Sequence, residues 1–257
     1  MEVYILPDED AIGEAIADRI QKVFENNANA NLGVATGSSP LPTYRALAAR
    51  VADGKLSFKN AHFFMLDEYV GIDEDHPERY HNVITTEIAS KVDVDPANVH
   101  GPEGNAPDLE AAVKEYDQLI KDQGGVDLQI LGIGSDGHIA FNEPGGSLVS
   151  RTHVGVLTKQ TREDNARFFD GDLSKVPTHC VTQGLGTIME ARELCLVATG
   201  AGKADAVREL IEGGISALWP ATIMQMHPNA HVFVDEAAAA KLKLADYYRE
   251  IQAAREA

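Results

Sequence analysis

Asp136, His138 and Glu143 stand close together in the segment Leu-Gly-Ile-Gly-Ser-Asp-Gly-His-Ile-Ala-Phe-Asn-Glu-Pro at 131–144. An imidazole between two carboxylates is the usual equipment for moving protons near neutral pH. Residue type alone leaves three readings open. One is a surface loop with a satisfied histidine. Another is a divalent-ion site, because Asp-x-His followed by Glu offers nitrogen and oxygen ligands. The third is a proton relay. No second histidine or cysteine is spaced to complete a tetrahedron, whereas a relay needs only what is present. A second acidic pair, Asp67-Glu68, ends the apolar run His62-Phe63-Phe64-Met65-Leu66. Solvated loop acids would look the same, but that apolar run favours holding one of the pair against the core.

Two further segments have the chemistry of anion binding. Thr36-Gly37-Ser38-Ser39-Pro40 follows an apolar stretch and opens a helical pattern. Its glycine allows close backbone approach, and its hydroxyls and amides are phosphate donors. An ordinary helix cap fits the same residues, and the Gly-Lys-Ser/Thr ending of a P-loop is absent. Gly132-Ile133-Gly134-Ser135-Asp136-Gly137 fits G-x-G-x-x-G, yet Asn142-Glu143-Pro144-Gly145-Gly146 stops the helix that a dinucleotide site requires. These glycines suit backbone amides lining a small polar ligand instead. Arg167 and Lys203 are the basic residues expected near a phosphate, although a solvated salt bridge is the commoner fate of either type.

The elements that must position these groups alternate regularly. Apolar runs at 3–6, 31–35, 62–66, 126–131, 193–198 and 231–234 read as strands. Residues 11–24, 41–51, 80–90, 108–121, 203–212 and 242–254 read as helices by their three- and four-residue apolar spacing. This order predicts an α/β fold: a Rossmann-like, open, mostly parallel sheet with helices on both faces. Ligands collect beyond the carboxyl ends of strands in such sheets, where both acidic clusters fall. Residues 145–180 break the rhythm with a Gly-rich start, a polar helix and an acidic loop. They are expected to be a mobile helical lid on a single domain spanning residues 1–257.

The chain has 257 residues, 44% of them hydrophobic, enough for one large core. No run reaches the roughly 18 apolar residues of a membrane span, and the N-terminus lacks the basic start of a signal peptide. Two cysteines, Cys180 and Cys195, make no disulfide framework, which suggests the cytoplasm. A net charge of −18, from 22 basic and 40 acidic residues, disfavours nucleic acid and anionic membrane as partners. A small anion held by a few local donors stays compatible with it.

Several of these segments resemble the isomerising glucosamine-6-phosphate deaminases. They are Ala-Thr-Gly-Ser-Ser-Pro at 35–40, Leu-Asp-Glu-Tyr-Val-Gly at 66–71 and Gly-Ser-Asp-Gly-His-Ile-Ala-Phe-Asn-Glu-Pro at 134–144. Ser-Leu-Val-Ser-Arg-Thr at 147–152 and Thr-Arg-Glu-Asp-Asn-Ala-Arg-Phe-Phe at 161–169 also match. The resemblance runs in order from about Val3 to Asp235, and the Asp-Gly-His-Ile-Ala-Phe-Asn-Glu-Pro string is its most specific part. It implies conversion of glucosamine 6-phosphate and water to fructose 6-phosphate and ammonia, with no metal or organic cofactor. Asp67 would be the base at C2 and C1, and His138 with Asp136 and Glu143 the ring-opening relay. Thr36, Gly37, Ser38, Ser39, Arg167 and Lys203 would hold the phosphate, with Gly132 and Ala140 near the sugar.

The pattern departs from the family at one place. Allosteric members carry basic residues after Ser-Arg-Thr to bind N-acetylglucosamine 6-phosphate between subunits. Here His153 and Gly155 stand there, and Gly146 replaces a contributing serine. The resemblance therefore implies an enzyme without that site, whose assembly, monomer or homo-oligomer, need not follow the hexameric members. A 6-phosphogluconolactonase on a related fold is the nearest alternative, although it needs no base after the third strand. The sugar-phosphate sensor domain of a transcriptional regulator is a more distant one.

Overall fold

Apolar runs too short for helices become strands buried on both faces. In the computed structural model, which describes residues 1–256, the first half contains β1 (Glu2–Leu6), α1 (Glu9–Asn26), β2 (Leu32–Val34), α2 (Leu41–Ala52), β3 (Phe63–Met65), β4 (Asp67–Tyr69), α3 (Tyr80–Glu87), β5 (Val99–His100) and α4 (Leu109–Asp122). The second half contains β6 (Leu128–Leu131), β7 (His153–Val156), α5 (Lys159–Asn165), β8 (His179–Thr182), α6 (Leu185–Ile188), β9 (Leu194–Ala198), α7 (Ala204–Glu212), β10 (Ala230–Asp235), α8 (Glu236–Ala239) and α9 (Ala245–Glu256). No described helix is long and apolar enough to cross a membrane.

Seven strands form one sheet in the order β1-β10-β9-β6-β2-β3-β5, every pairing parallel. Every residue of β2, β3, β6 and β9 is buried, whereas the edge strand β1 alternates. That is the signature of a sheet covered by helices on both faces. The helices obey their caps: Asp8 accepts from the Ala11 amide and Asp108 from the Ala111 amide. Helix α1 turns Ile12, Ile16, Ile20 and Phe24 inward and meets α2 at Gly13, where a Cβ would lie 2.6 Å from the Pro42 carbonyl carbon.

Beyond the parallel sheet, β4, β8 and β7 form a separate antiparallel sheet. The six strands and six main helices expected from the sequence are present, with ends shifted by a few residues. Neither β5 nor the small sheet was anticipated, because two- to four-residue strands carry too little periodicity to register. The polar helix expected within 145–180 is present as α5, and strands not foreseen there accompany it. The segment contains the strand β7, the helix α5 and one further 3-10 turn at Ala166–Phe168 before β8 begins at its end. It has a small core of its own, in which Leu157, Ala166, Phe169 and Val176 pack with Tyr69, Ile72, Phe141 and Cys180.

Candidate active site

The chain leaves β2 toward β3 and β5 on one side, then returns to β6 and proceeds through β9 to β10 on the other. The adjacent strands β2 and β6 are thus where the winding reverses, the place at which open α/β sheets bind ligands. A cleft of about 1050 Å³ opens there. It is lined by Thr36, Gly37, Ser38 and Ser39 after β2, by Asp67 after β3, and by Gly132, His138 and Ala140 after β6. Arg167 from the 145–180 segment and Lys203 after β9 complete the predicted set. Asp136 and Glu143 do not line the cleft; they stand behind the His138 ring.

The β2–α2 loop turns backbone donors toward the cleft. Gly37 adopts φ +90°, a region that favours glycine. The buried Tyr44 hydroxyl donates to the Ala35 carbonyl at 2.7 Å and accepts from the Ala35 amide at 2.9 Å, tying the loop's root to α2. The amides of Gly37, Ser38 and Ser39 donate to no described residue, so they are available to a ligand. Across the cleft the Arg167 guanidinium lies 4.6 Å from the centre of the Phe168 ring. Burial pushes the Lys203 ammonium down, Arg167 adds to that, and Asp164 opposes it. A bound phosphate would relieve the repulsion between these two cations.

The β6 loop folds back on itself, with the Gly134 amide donating to the His138 carbonyl at 2.9 Å and Ala140 at φ +51°. No helix follows β6, which removes the dinucleotide reading of the glycine-rich segment. His138 Nδ1 lies 2.7 Å from Asp136 Oδ1 and 4.0 Å from Glu143 Oε2. Asp136 Oδ1 also accepts the His138 amide at 3.2 Å, and it stands off the line of the ring N–H. Glu143 Oε1 accepts from the Thr158 amide at 3.0 Å, while its Oε2 is buried and unpaired. Burial alone would raise the Asp136 carboxyl, but hydrogen bonding and attraction to His138 outweigh it and hold the carboxyl at about 2. Asp136, His138 and Glu143 approach one another closely enough to tempt a metal assignment. Two ligands of one zinc ion, however, sit about 3.3 Å apart at ordinary bond lengths, and the Nδ1–Oδ1 contact is shorter. The spacing is that of an ion pair between the imidazole and Asp136, with Glu143 farther off.

The acidic pair divides into two jobs. Glu68 Oε1 accepts from the amides of Tyr69 at 2.9 Å and Tyr80 at 3.0 Å, and Oε2 from His81 at 3.0 Å. Asp67 is 6% exposed, faces the cleft and receives no hydrogen bond from a described residue. Burial first, and the Glu68 charge second, push its carboxyl well above the usual range.

One wall of the cleft escaped the sequence reading. Tyr80, Asn82 and Val83 of α3 line it, as does Tyr69 of β4. The Tyr69 hydroxyl accepts from Tyr80 at 3.2 Å and from Asn165 of α5 at 2.9 Å. The available signal was the pair of tyrosines flanking a loop directly after Asp67, but aromatic residues in such a place are usually ordinary packing.

Fold and cleft together define an α/β enzyme with its site at the switch point of an open parallel sheet. The chain belongs to the glucosamine-6-phosphate isomerase/6-phosphogluconolactonase family, whose model matches residues 9–233. A glucosamine-6-phosphate deaminase of Mycolicibacterium smegmatis is 59% identical over 257 residues, covering 100% of this chain and 98% of that one. A deaminase of the same name from Streptomyces coelicolor is 54% identical, with 98% and 97% covered. Among solved structures, a monomeric glucosamine-6-phosphate deaminase superposes with a TM-score of 0.91 at 39% identity, covering 94% of this chain and 100% of that one. The 6-phosphogluconolactonase of Trypanosoma cruzi reaches a TM-score of 0.75 at 17% identity over 94% and 97%, a likeness of fold.

Proposed function

We propose that this chain converts D-glucosamine 6-phosphate and water into D-fructose 6-phosphate and ammonia, breaking a C–N bond after an aldose-to-ketose shift. Its full-length relatives at 54–59% identity carry the deaminase name, whereas the lactonase likeness is one of fold. The observation that carries the reading is the Asp67 carboxylate. It is buried, free of donors, and in one cleft with His138 and the β2–α2 loop.

The phosphate sits on the amides and hydroxyls of Thr36, Gly37, Ser38 and Ser39, with Arg167 and Lys203 neutralising its charge. Gly132 and Ala140 offer backbone to the sugar. His138 moves a proton from the C1 hydroxyl to the ring oxygen, which opens the pyranose to the free aldehyde. Asp136 and Glu143 orient the imidazole and stabilise its protonated form. Asp67 then removes the C2 proton, the C2–H electrons form the C1–C2 double bond, and O1 takes up a proton from solvent to give an enolamine. Returning that proton to C1 forms the C2 imine. Water adds at C2, the C–N bond breaks, and ammonia leaves the ketone. Burial that raises the Asp67 proton affinity makes its carboxylate a stronger base. No step calls for a metal or cofactor, so a chelator leaves the rate unchanged.

Residues 145–180 act as a lid carrying Arg167 over a single α/β domain. His153 and Gly155 lie on β7 with no added cation, so N-acetylglucosamine 6-phosphate does not activate, and the rate curve is hyperbolic without it. Buried, unpaired cysteines at 180 and 195 suit a cytoplasmic enzyme.

The deciding experiment follows ammonia release from glucosamine 6-phosphate. The wild type is active, and Asp67→Asn falls by at least ~10²-fold, the low end for losing a general base, while still binding the sugar phosphate. Hydrolysis of 6-phosphogluconolactone without ammonia release, or full activity in Asp67→Asn, overturns the reading.

A further inference from the structure

Consecutive residues of a strand project to opposite faces, so Asp67 and Glu68 turn away from each other on β4. Glu68 is 3% exposed and receives three backbone hydrogen bonds, one from β4 and two from the first turn of α3. The residue before α3, Arg79, makes no side-chain cap. A carboxylate from another element therefore does the capping, at the end of the helix where negative charge is favoured. The helix it docks presents Tyr80, Asn82 and Val83 to the cleft, and Tyr80 leads through Tyr69 to Asn165 on the lid.

We infer that Glu68 is a positioning residue for the reaction: its carboxylate docks α3 as a wall of the cleft and keeps a negative charge beside Asp67. This rests on Asp67 being the base. Burial raises the Glu68 carboxyl on balance, while three amide donors and then Arg79 favour its ionised form and oppose that rise. The charge then acts on Asp67 through protein rather than water, where screening is weak. The titratable groups packed about Asp67 include Tyr69, Tyr80, Tyr116 and Cys180, all neutral near pH 7 and all raised further by burial, and His138, Arg167 and Lys203 line the same cleft. Arg79 and His81 lie on the side of Glu68, where burial and then Arg79 push the imidazole down. Burial raises the proton affinity of Asp67 first, and the Glu68 charge adds to it.

Two substitutions separate charge from reach. Glu68→Gln removes the charge, so the acid limb of kcat against pH shifts about one unit lower. The plateau falls roughly 3- to 10-fold because the base is weaker. Glu68→Asp keeps the charge but draws the carboxyl back from α3. KM then rises about 5- to 10-fold through the misplaced wall, with the acid limb within about 0.3 unit of wild type. Asp67→Asn is measured alongside: activity there sinks the base reading itself. With that variant dead, a folded Glu68→Gln whose limb does not move overturns the role given to Glu68. If Glu68→Gln does not fold, Glu68→Asp decides, and wild-type KM and kcat within twofold overturn it.

Discussion

The Tyr44 hydroxyl is joined twice to Ala35, accepting from its amide and donating to its carbonyl. One phenol from α2 thereby satisfies both backbone groups at the end of β2, where the anion loop starts. Tyr44→Phe leaves both buried groups unpaired. We expect a stability loss of about 1–3 kcal/mol in denaturant unfolding. In steady-state kinetics KM for the sugar phosphate should rise more than kcat falls.

Asn165 reaches Tyr69 across the gap between α5 and β4 at 2.9 Å. Asn165→Ala removes the polar tether but leaves the small core around Phe169 in place. Amide exchange in residues 157–170 should quicken while the parallel sheet stays protected. The activity loss should appear in KM, because Arg167 rides on the same segment.

At the opposite pole of the sheet, His231 is buried among Arg19, Glu193 and Glu2. Its Nε2 lies 2.6 Å from Arg19 Nη2, and its Nδ1 lies 3.0 Å from Glu2 Oε2. The Arg19 charge beside Nε2 disfavours a second positive charge on the ring. Burial first and Arg19 second push it down to about 4. A histidine depressed in the folded state contributes stability that is present above its unfolded value near 6.5 and lost as pH falls toward 4. That loss amounts to about 3 kcal/mol, at roughly 1.4 kcal/mol per unit. Chemical denaturation between pH 7 and 4 should show the decline, and His231→Gln should flatten it.

Gly13 is the contact point of α1 and α2, where an added Cβ would meet the backbone and ring of Pro42. Alanine is normally the better helix residue by about 1 kcal/mol. Here overpacking against a rigid neighbour outweighs that gain, and Gly13→Ala should destabilise by about 1–3 kcal/mol, read as a lower Tm.

The parallel sheet was legible in the sequence because its strands are unbroken apolar runs between helices with regular spacing and recognisable caps. The loops after β2 and β6 stood out through the resemblance of their motifs, since a helix cap, a surface loop or a metal site suits the same residue types. Asp67 and Glu68 were read as acids ending a strand, and Asp67 through the resemblance as the base, but a strand at 67–69 was not foreseen. In fact the chain turns at Leu66, whose carbonyl takes the Gln183 amide at 2.7 Å, and starts a second sheet. That partner lies more than a hundred positions away, so no local pattern announces it. The division between Asp67 and Glu68 was hidden for a related reason: the donors that claim Glu68 are backbone amides, invisible in residue type.

The edge strand β1 pairs with β10, Glu2 opposite His231, and the Ile5 amide donates to Gln252 of α9 at 3.2 Å. A strand made early is consequently completed by one made more than two hundred residues later. At about 5–20 residues per second, β1 must wait on the order of 10–45 s for its neighbour. Until then an exposed strand edge travels with the nascent chain, open to pairing with any other unpaired strand.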